Sequence, residues 1–248
     1  MKISIVTAAY NSAATIRETI ESVLSQDYHD IEYIVADGGS KDGTVDILKS
    51  YGDKIKWVSE RDSGIYEAMS KGVKMATGDA IGIVGSDDFY PNKEAISNIV
   101  KGFKESNADS VYGDLYYVDS IDTNKIIRKW KSGNYSKKRF LNGWMPPHTA
   151  FFIKKSAYDT YGSYHSSYRF AGDYELMLRM LYRYDVSSYY VPKVIMKMRA
   201  GGNSNGSIKG RIKANKEDRK AWTDNEIQPR WYTLYAKPLS KIFQWILK

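Results

Sequence analysis

Ala80-Ile81-Gly82-Ile83-Val84-Gly85-Ser86-Asp87-Asp88-Phe89 is the stretch that decides the fold. Its first five residues are a short apolar run broken by glycine, the pattern of a buried strand rather than of a helix. Two adjacent carboxylates then stand at the strand's carboxyl end, where open α/β sheets hold their ligands. Side by side they repel. A divalent cation with hard oxygen ligands, typically one or two carboxylates plus substrate phosphates, would relieve that repulsion. The other reading is a turn with a helix cap, because Asp is common in both and Pro91-Asn92 opens another helical pattern.

Toward the amino terminus the same grammar repeats. Ile3 to Ala8 reads as a strand, and Ile16, Ile20, Val23 and Leu24 mark one face of a helix. Ile31 to Ala36 is a second strand, and a helix runs from near Val45 to just before Gly52. Ile55 to Ser59 is a third strand, followed by a helix from Ile65 to Ala76 closed by Gly78. This alternation predicts a parallel sheet with right-handed crossovers. Its loops gather Tyr10, Asp37, Asp62 and the Asp87-Asp88 pair on one rim. Each loop also has a purely structural reading: Asp37-Gly38-Gly39-Ser40 is good turn chemistry, and Asp42 can cap the next helix. Together they suit a nucleotide pocket, with Tyr10 flanking a base and Asp37 accepting from a base N–H. Neither G-x-G-x-x-G after a strand nor G-x-x-x-x-G-K-[ST] occurs, so a metal at Asp87-Asp88 has to do much of any phosphate neutralisation.

Beyond Phe89 the alternation stops. Ile96, Ile99, Val100 and Phe103 mark a helix, and Ser110 to Val118 is strand-like. Ile121 to Asn124 turns toward a second extended piece, Lys125 to Trp130, which predicts antiparallel pairing. Ser132 to Pro147 has little periodicity and reads as a loop over the site. Pro146-Pro147-His148-Thr149 then enters a strand from Ala150 to Ile153, with His148 either satisfied by backbone or functional. Phe170 to Glu175 opens a helix with Leu176, Met177, Met180 and Leu181 on one face. Asp173 at its start is either a cap or a carboxylate that the helix N-terminus keeps ionised and able to accept a proton. The polar run Gly201 to Ser207 reads as a boundary, dividing a domain of residues 1–206 from a tail of residues 207–248.

The 248 residues suit one large α/β domain, or one domain with a small appendage. The absence of cysteine excludes disulfides and Cys-ligated zinc. The start Met1-Lys2-Ile3-Ser4-Ile5-Val6 lacks the features of a signal peptide, and no apolar run approaches the roughly 18 residues of a spanning helix. A cytoplasmic protein, soluble or peripheral at the inner face of the membrane, is therefore expected. Ten of the 37 Lys and Arg but four of the 29 Asp and Glu lie from Ser207 onward, so +6 of the +8 net charge belongs to the tail. There Pro238 opens a helix with Leu239, Ile242, Phe243, Ile246 and Leu247 on one face, suited to a membrane interface, to the protein's own core or to a twin subunit. With few aromatic platforms beside the basic excess, nucleic acid is not expected as a partner.

Thr7-Ala8-Ala9-Tyr10-Asn11, Asp37 to Thr44, Ser59 to Met69, and Ser86-Asp87-Asp88 resemble, in this order and spacing, the motifs of inverting glycosyltransferases of family 2, in particular those of bacterial surface polysaccharides. The resemblance covers about two-thirds of the chain and thins after Arg199. It implies a GT-A fold: a single Rossmann-like nucleotide-binding sheet, mostly parallel, with an antiparallel acceptor-side part and, here, a C-terminal helical tail. It also implies that Ala8, Tyr10, Asp37, Asp62, Asp87 and Asp88 bind a nucleotide-sugar donor, a UDP-sugar being favoured. Asp87 and Asp88 would hold Mn²⁺ or Mg²⁺, Asp173 would be the catalytic base, and His148 and Trp144 would lie near acceptor or phosphate. The acceptor would be a saccharide hydroxyl, on a lipid carrier in such pathways. No histidine follows His165, so a third metal ligand from the C-terminal region is unassigned. The rival readings are a sugar nucleotidyltransferase, which would want a glycine-rich loop where Ala8-Ala9-Tyr10-Asn11 stands, and a non-catalytic carbohydrate-binding protein, which would not need three rim carboxylates.

Overall fold

β1 (Ile3–Ala9) is buried at every position because it lies between two parallel partners, β2 (Ile31–Asp37) and β4 (Ala80–Gly85). The computed structural model describes residues 1–201 and 208–234 of the chain. β3 (Lys56–Ser59) adds to the outer edge of β2. α1 (Ile16–Leu24), α2 (Thr44–Ser50) and α3 (Ile65–Met75) are the connections. Ile16, Ile20 and Val23 face inward as the period requires, whereas Leu24 is exposed. α3 packs so closely that a Cβ at Gly72 would stand 2.3 Å from a methyl of Val6, which fixes glycine there. The order β3-β2-β1-β4 reverses between β1 and β4, and ligands bind at the carboxyl ends of strands at such a switch.

Past β4 come α4 (Ala95–Ser106), β5 (Ser110–Val118), β6 (Ile126–Trp130), α5 (Lys137–Leu141), β7 (Phe151–Lys154), α6 (Lys155–Tyr161), α7 (Gly172–Met177), β8 (Ser188–Arg199) and α8 (Ile208–Asp224). β7 runs antiparallel between β4 and the first part of β5, β6 pairs antiparallel with the rest of β5, and β8 runs parallel along it. The described residues thus form one mixed sheet, parallel in its first half and with antiparallel strands in its second.

Several expectations need correction. The segment Ser132 to Pro147 is not an open loop: it contains α5 and inserts Phe140 and Trp144 into the core. Aromatic residues between polar ones hide this, because an irregular segment has no period. The strand expected from Ala150 begins at Phe151, after a 3₁₀ turn at His148–Ala150. The helix opened near Phe170 is α-helical only to Met177 and continues as a π-helix over Leu178–Arg183. β8 has no counterpart in the sequence reading, since exposed Pro192 and Lys193 interrupt it and its ladder with β5 shifts register around Asp114. Finally, packing does not separate a tail at 206. Trp222 of α8 is fully buried edge-on against Phe140 and Tyr182, and its indole N–H donates to the Tyr174 hydroxyl at 2.9 Å. The expected helix after Pro238 lies outside the described residues. No helix among the described residues is long and apolar enough to cross a membrane.

The amino-terminal edge of the parallel strands is held by one buried carboxylate. Glu32 accepts from Ser4 Oγ at 2.6 Å and from the Thr77 backbone N–H at 2.8 Å, and lies 2.7 Å from Lys56 Nζ. Burial alone would raise its carboxyl, but Lys56, Ser4 and Thr77 outweigh burial and hold it well below the ordinary range. A lowered carboxyl stabilises the fold above its unfolded pKa and loses that contribution as pH falls. Glu32→Gln should therefore cost about 1.5 to 3 kcal/mol at pH 7. In urea titrations the gap to the unsubstituted protein should shrink as pH falls below about 4.

Candidate active site

The rim at the β1/β4 switch is built from loops that tie one another down. After β1, Asn11 takes a positive φ of 49°, its N–H donates to Ser40 Oγ at 2.7 Å, and its side-chain oxygen accepts from Lys41 N–H at 3.0 Å. Asp42 accepts from the backbone N–H of Ala13 at 2.9 Å and of Thr44 at 3.0 Å, so it joins the first loop to the second as well as serving the start of α2. The Thr44 hydroxyl, which donates to Oδ1 at 2.6 Å, and then these N–H bonds hold the Asp42 carboxyl below its usual range. Ser12 and Ser86 share a hydroxyl–hydroxyl bond of 2.8 Å, which links the first loop to the one bearing Asp87 and Asp88. The Tyr10 ring is left 66% exposed at the edge, free to lie against a flat ligand.

Asp37 is only 2% exposed. Its Oδ2 accepts from Gly39 and Ser40 N–H, each at 3.0 Å, and from Ser59 Oγ at 2.6 Å; Oδ1 accepts from Ser40 Oγ. The turn chemistry read from Asp37-Gly-Gly-Ser is thus present, and only Oδ1 keeps a lone pair for a base N–H. Asp62 folds over the same loop, and a Cβ at Gly38 would stand 2.7 Å from its Oδ2. Burial, partly offset by the Gly64 N–H and Lys71 and reinforced by Glu67 and Asp37, pushes the Asp62 carboxyl up. Ala8 lies in register with Ala36 and Gly85, so small residues cross all three strands just below the rim.

Asp88 is fully buried, and neither of its carboxylate oxygens has a hydrogen-bond partner. Burial and then the neighbouring Asp87 charge push its carboxyl well up, against the pull of Arg199. Two orphaned buried oxygens beside a second carboxylate fit a divalent cation, which would supply the missing partner. Among the described residues no three His, Cys, Asp or Glu side chains form a metal-holding group, so the fit is that of a two-carboxylate site.

Asp173 stands in the first turn of α7, but it does not cap it. Its Oδ1 accepts from the Tyr66 hydroxyl at 3.2 Å, and its Oδ2 lies 3.3 Å from His148 Nδ1. It remains 22% exposed. The Tyr117 phenol lies within reach of both carboxylates: burial pushes it up, the Arg128 guanidinium 3.9 Å from its ring opposes this, and the charges of Asp88 and Asp173 add to the rise. Trp144 is not brought here. Its indole is 9% exposed, donates to the Ser132 carbonyl at 3.0 Å and packs against Tyr112 and Tyr135. Tyr66, Tyr117 and Arg199 join the site unannounced. Tyr66 was visible in the Gly64-Ile65-Tyr66 motif, but an aromatic on a buried helix face carries no functional signal.

Residues 4–162 match the sequence profile of glycosyl transferase family 2. A PGL/p-HBAD biosynthesis glycosyltransferase of Mycobacterium bovis is 29% identical over 214 residues, covering 83% of this chain and 79% of that one. An uncharacterized glycosyltransferase of Rickettsia typhi is 32% identical over 206 residues, covering 79% and 63%. Among solved structures, S. aureus TarS in complex with UDP-GlcNAc superposes with a TM-score of 0.70 at 16% identity, covering 95% of this chain and 69% of that one. A mannosyltransferase of Pyrobaculum calidifontis in complex with GDP-Man and Mn²⁺ gives 0.69 at 17% identity, covering 95% and 68%. The fold is therefore GT-A, and the molecule is a glycosyltransferase. The chain belongs to glycosyl transferase family 2.

A contact, rather than backbone conformation, demands glycine at 172. A Cβ there would come within 2.8 Å of the Tyr66 ring, which is itself stacked on Tyr164 with centroids 5.9 Å apart. Gly172→Ala should destabilise the protein by about 1 to 3 kcal/mol through overpacking. It should also slow sugar-nucleotide turnover per folded molecule by moving the Tyr66 hydroxyl off Asp173, which urea melts and a nucleotide-release assay would measure together.

Proposed function

We propose that this protein transfers a sugar, with inversion, from a nucleoside-diphosphate sugar to a saccharide hydroxyl. The observation that carries the reading is Asp88, buried with both oxygens unpartnered, and an Asp173 held at both oxygens, the two carboxylates both acting on the Tyr117 phenol. Asp173 accepts the proton of the acceptor hydroxyl as that oxygen bonds to the anomeric carbon. The bond from that carbon to the donor phosphate breaks on the opposite face, and the nucleoside diphosphate leaves with the bonding pair. Tyr66 and His148 keep the carboxylate oriented through the step. Asp88, with Asp87 beside it, would hold Mn²⁺ or Mg²⁺, which when bound supplies positive charge for the diphosphate. Donor phosphates would complete the two-carboxylate site. Tyr10, Asp37 and Asp62 would receive the base and ribose side.

The nucleotide sugars carried by the two similarly folded structures, UDP-GlcNAc and GDP-Man, support the donor class. Uridine is the favoured base because it is common in the family. Inversion, and an acceptor in bacterial surface polysaccharide assembly carried on lipid at the inner face of the membrane, are supported by the ordered motifs' resemblance to such enzymes.

Adding UDP and Mn²⁺ together should raise the melting temperature more than either alone, since a ligand at about a hundredfold excess over its Kd stabilises by about 2.7 kcal/mol. Asp88→Asn should abolish that synergy, and UDP binding in EDTA that the substitution leaves unchanged would refute the metal role. A second substitution separates binding from chemistry. Asp173→Asn should keep UDP affinity while turnover of the best substrate among UDP-, GDP- and dTDP-sugars falls about 10² to 10⁴-fold. Full turnover would remove Asp173 as the base.

A further inference from the structure

Glu217 of α8 lies beyond the residues that match the family profile, yet it is bonded to the start of the helix that carries Asp173. Its two oxygens accept from the Arg169 N–H at 3.0 and 3.1 Å, and one of them also accepts from Phe170 N–H at 2.7 Å and Ala171 N–H at 2.9 Å. Three successive backbone amides converging on one carboxylate form an anion nest. The residue at the N-cap position of α7 is Ala171, which has no side-chain acceptor to offer.

Asp173 is the acidic side chain closest in sequence to those amides, and the positive end of the helix would attract it. It is instead turned to Tyr66 and His148. Glu217 fills the nest that Asp173 could otherwise compete for. Three more bonds from the C-terminal segment fix the surrounding residues. The Tyr168 hydroxyl donates to Asp224 at 2.7 Å, Trp222 donates to the Tyr174 hydroxyl, and Asn225 donates to Glu175 at 3.1 Å. Glu175 is in turn paired with buried Arg179 at 2.8 Å. Residues on both sides of Asp173 are thus held from α8 and the turn that follows it.

We propose that Glu217 is a positioning residue for Asp173: by occupying the amides that lead into α7, it leaves the Asp173 carboxylate facing the cleft. The inference rests on the assignment of Asp173 as the base. It makes the C-terminal segment part of the catalytic apparatus through a carboxylate that never touches substrate.

The test uses the full-length protein, UDP with Mn²⁺ as the binding probe, and hydrolysis of whichever of UDP-N-acetylglucosamine, UDP-glucose, GDP-mannose and dTDP-rhamnose is turned over fastest. Glu217→Ala should change UDP affinity and donor KM by less than about twofold. Its kcat per bound UDP should fall by about 10- to 100-fold, the size of effect that a misplacement of about 1 Å produces. Glu217→Gln, which keeps one acceptor oxygen, should recover part of the rate, and it decides the question if Glu217→Ala does not fold. In an Asp173→Asn background, Glu217→Ala should leave the residual rate unchanged. A kcat per bound UDP that stays at the starting value in the Ala variant, or in Gln where Ala is unfolded, overturns the proposal, whatever happens to the melting temperature. An equal loss in the Asp173→Asn background overturns it as well. An Asp173→Asn protein that keeps its rate instead removes the base assignment beneath it.

Discussion

The oxygens of Asp88 are shut away from solvent without a hydrogen bond, next to a second carboxylate. Keeping such a group charged costs several kcal/mol, and a free loop would relax until the carboxylate reached water. What prevents this is a bracket of contacts on either side. Arg199, at the end of β8, donates to the Asp87 carbonyl, pairs with Glu18 of α1 and lies 5.0 Å from the Phe89 ring centroid. Phe89 and Lys197 exchange backbone hydrogen bonds of 3.1 and 2.9 Å. Thr15 Oγ1 donates to the Ser86 carbonyl at 2.9 Å from the other side. The strand added last to the sheet therefore holds the loop that was recognisable first in the sequence.

The same logic of remote support governs the other half of the cleft. Tyr66 enters α3 directly after the loop bearing Asp62, whose Oδ1 accepts from Gly64 N–H at 3.0 Å. Its hydroxyl then reaches Asp173, so one short segment contacts both the Asp62 loop and the start of α7. Gly172 permits the approach by presenting no side chain to the Tyr66 ring. The antiparallel part of the sheet contributes by placing β7 beside β4, which brings His148 to the rim from the far side. A purely parallel continuation would have required another long crossover and would have left that edge without His148.

How much was legible depended on the range of the interactions involved. The first four strands and their helices follow from apolar runs and period-3.6 faces, each set by neighbours within a few residues. The rim carboxylates were legible for the same reason, because a residue just past a strand's carboxyl end has its location implied by the strand. β8, α5 and the docking of Trp222 were not legible. Their residues are mixed in polarity because each is buried by one patch of side chains rather than along a continuous face. Trp144, expected near acceptor or phosphate from the resemblance, lies in an irregular stretch whose packing the sequence does not report, and it fills the core beside Tyr112 and Tyr135.

The sequence by itself determined the parallel half of the sheet, the loops at its carboxyl edge and the identity of the carboxylates there, because strand burial and turn chemistry act locally. It left open whether Asp173 was a cap or a functional carboxylate, since one residue at the start of a helix satisfies both descriptions. Only the tertiary structure removed the cap, by bringing Tyr66 and His148 to the two oxygens of Asp173 and Glu217 to the amides just before it. Those partners lie 107, 25 and 44 positions away along the chain. At such separations no periodicity reports which side chains will meet, and packing of the whole chain sets the distance between them.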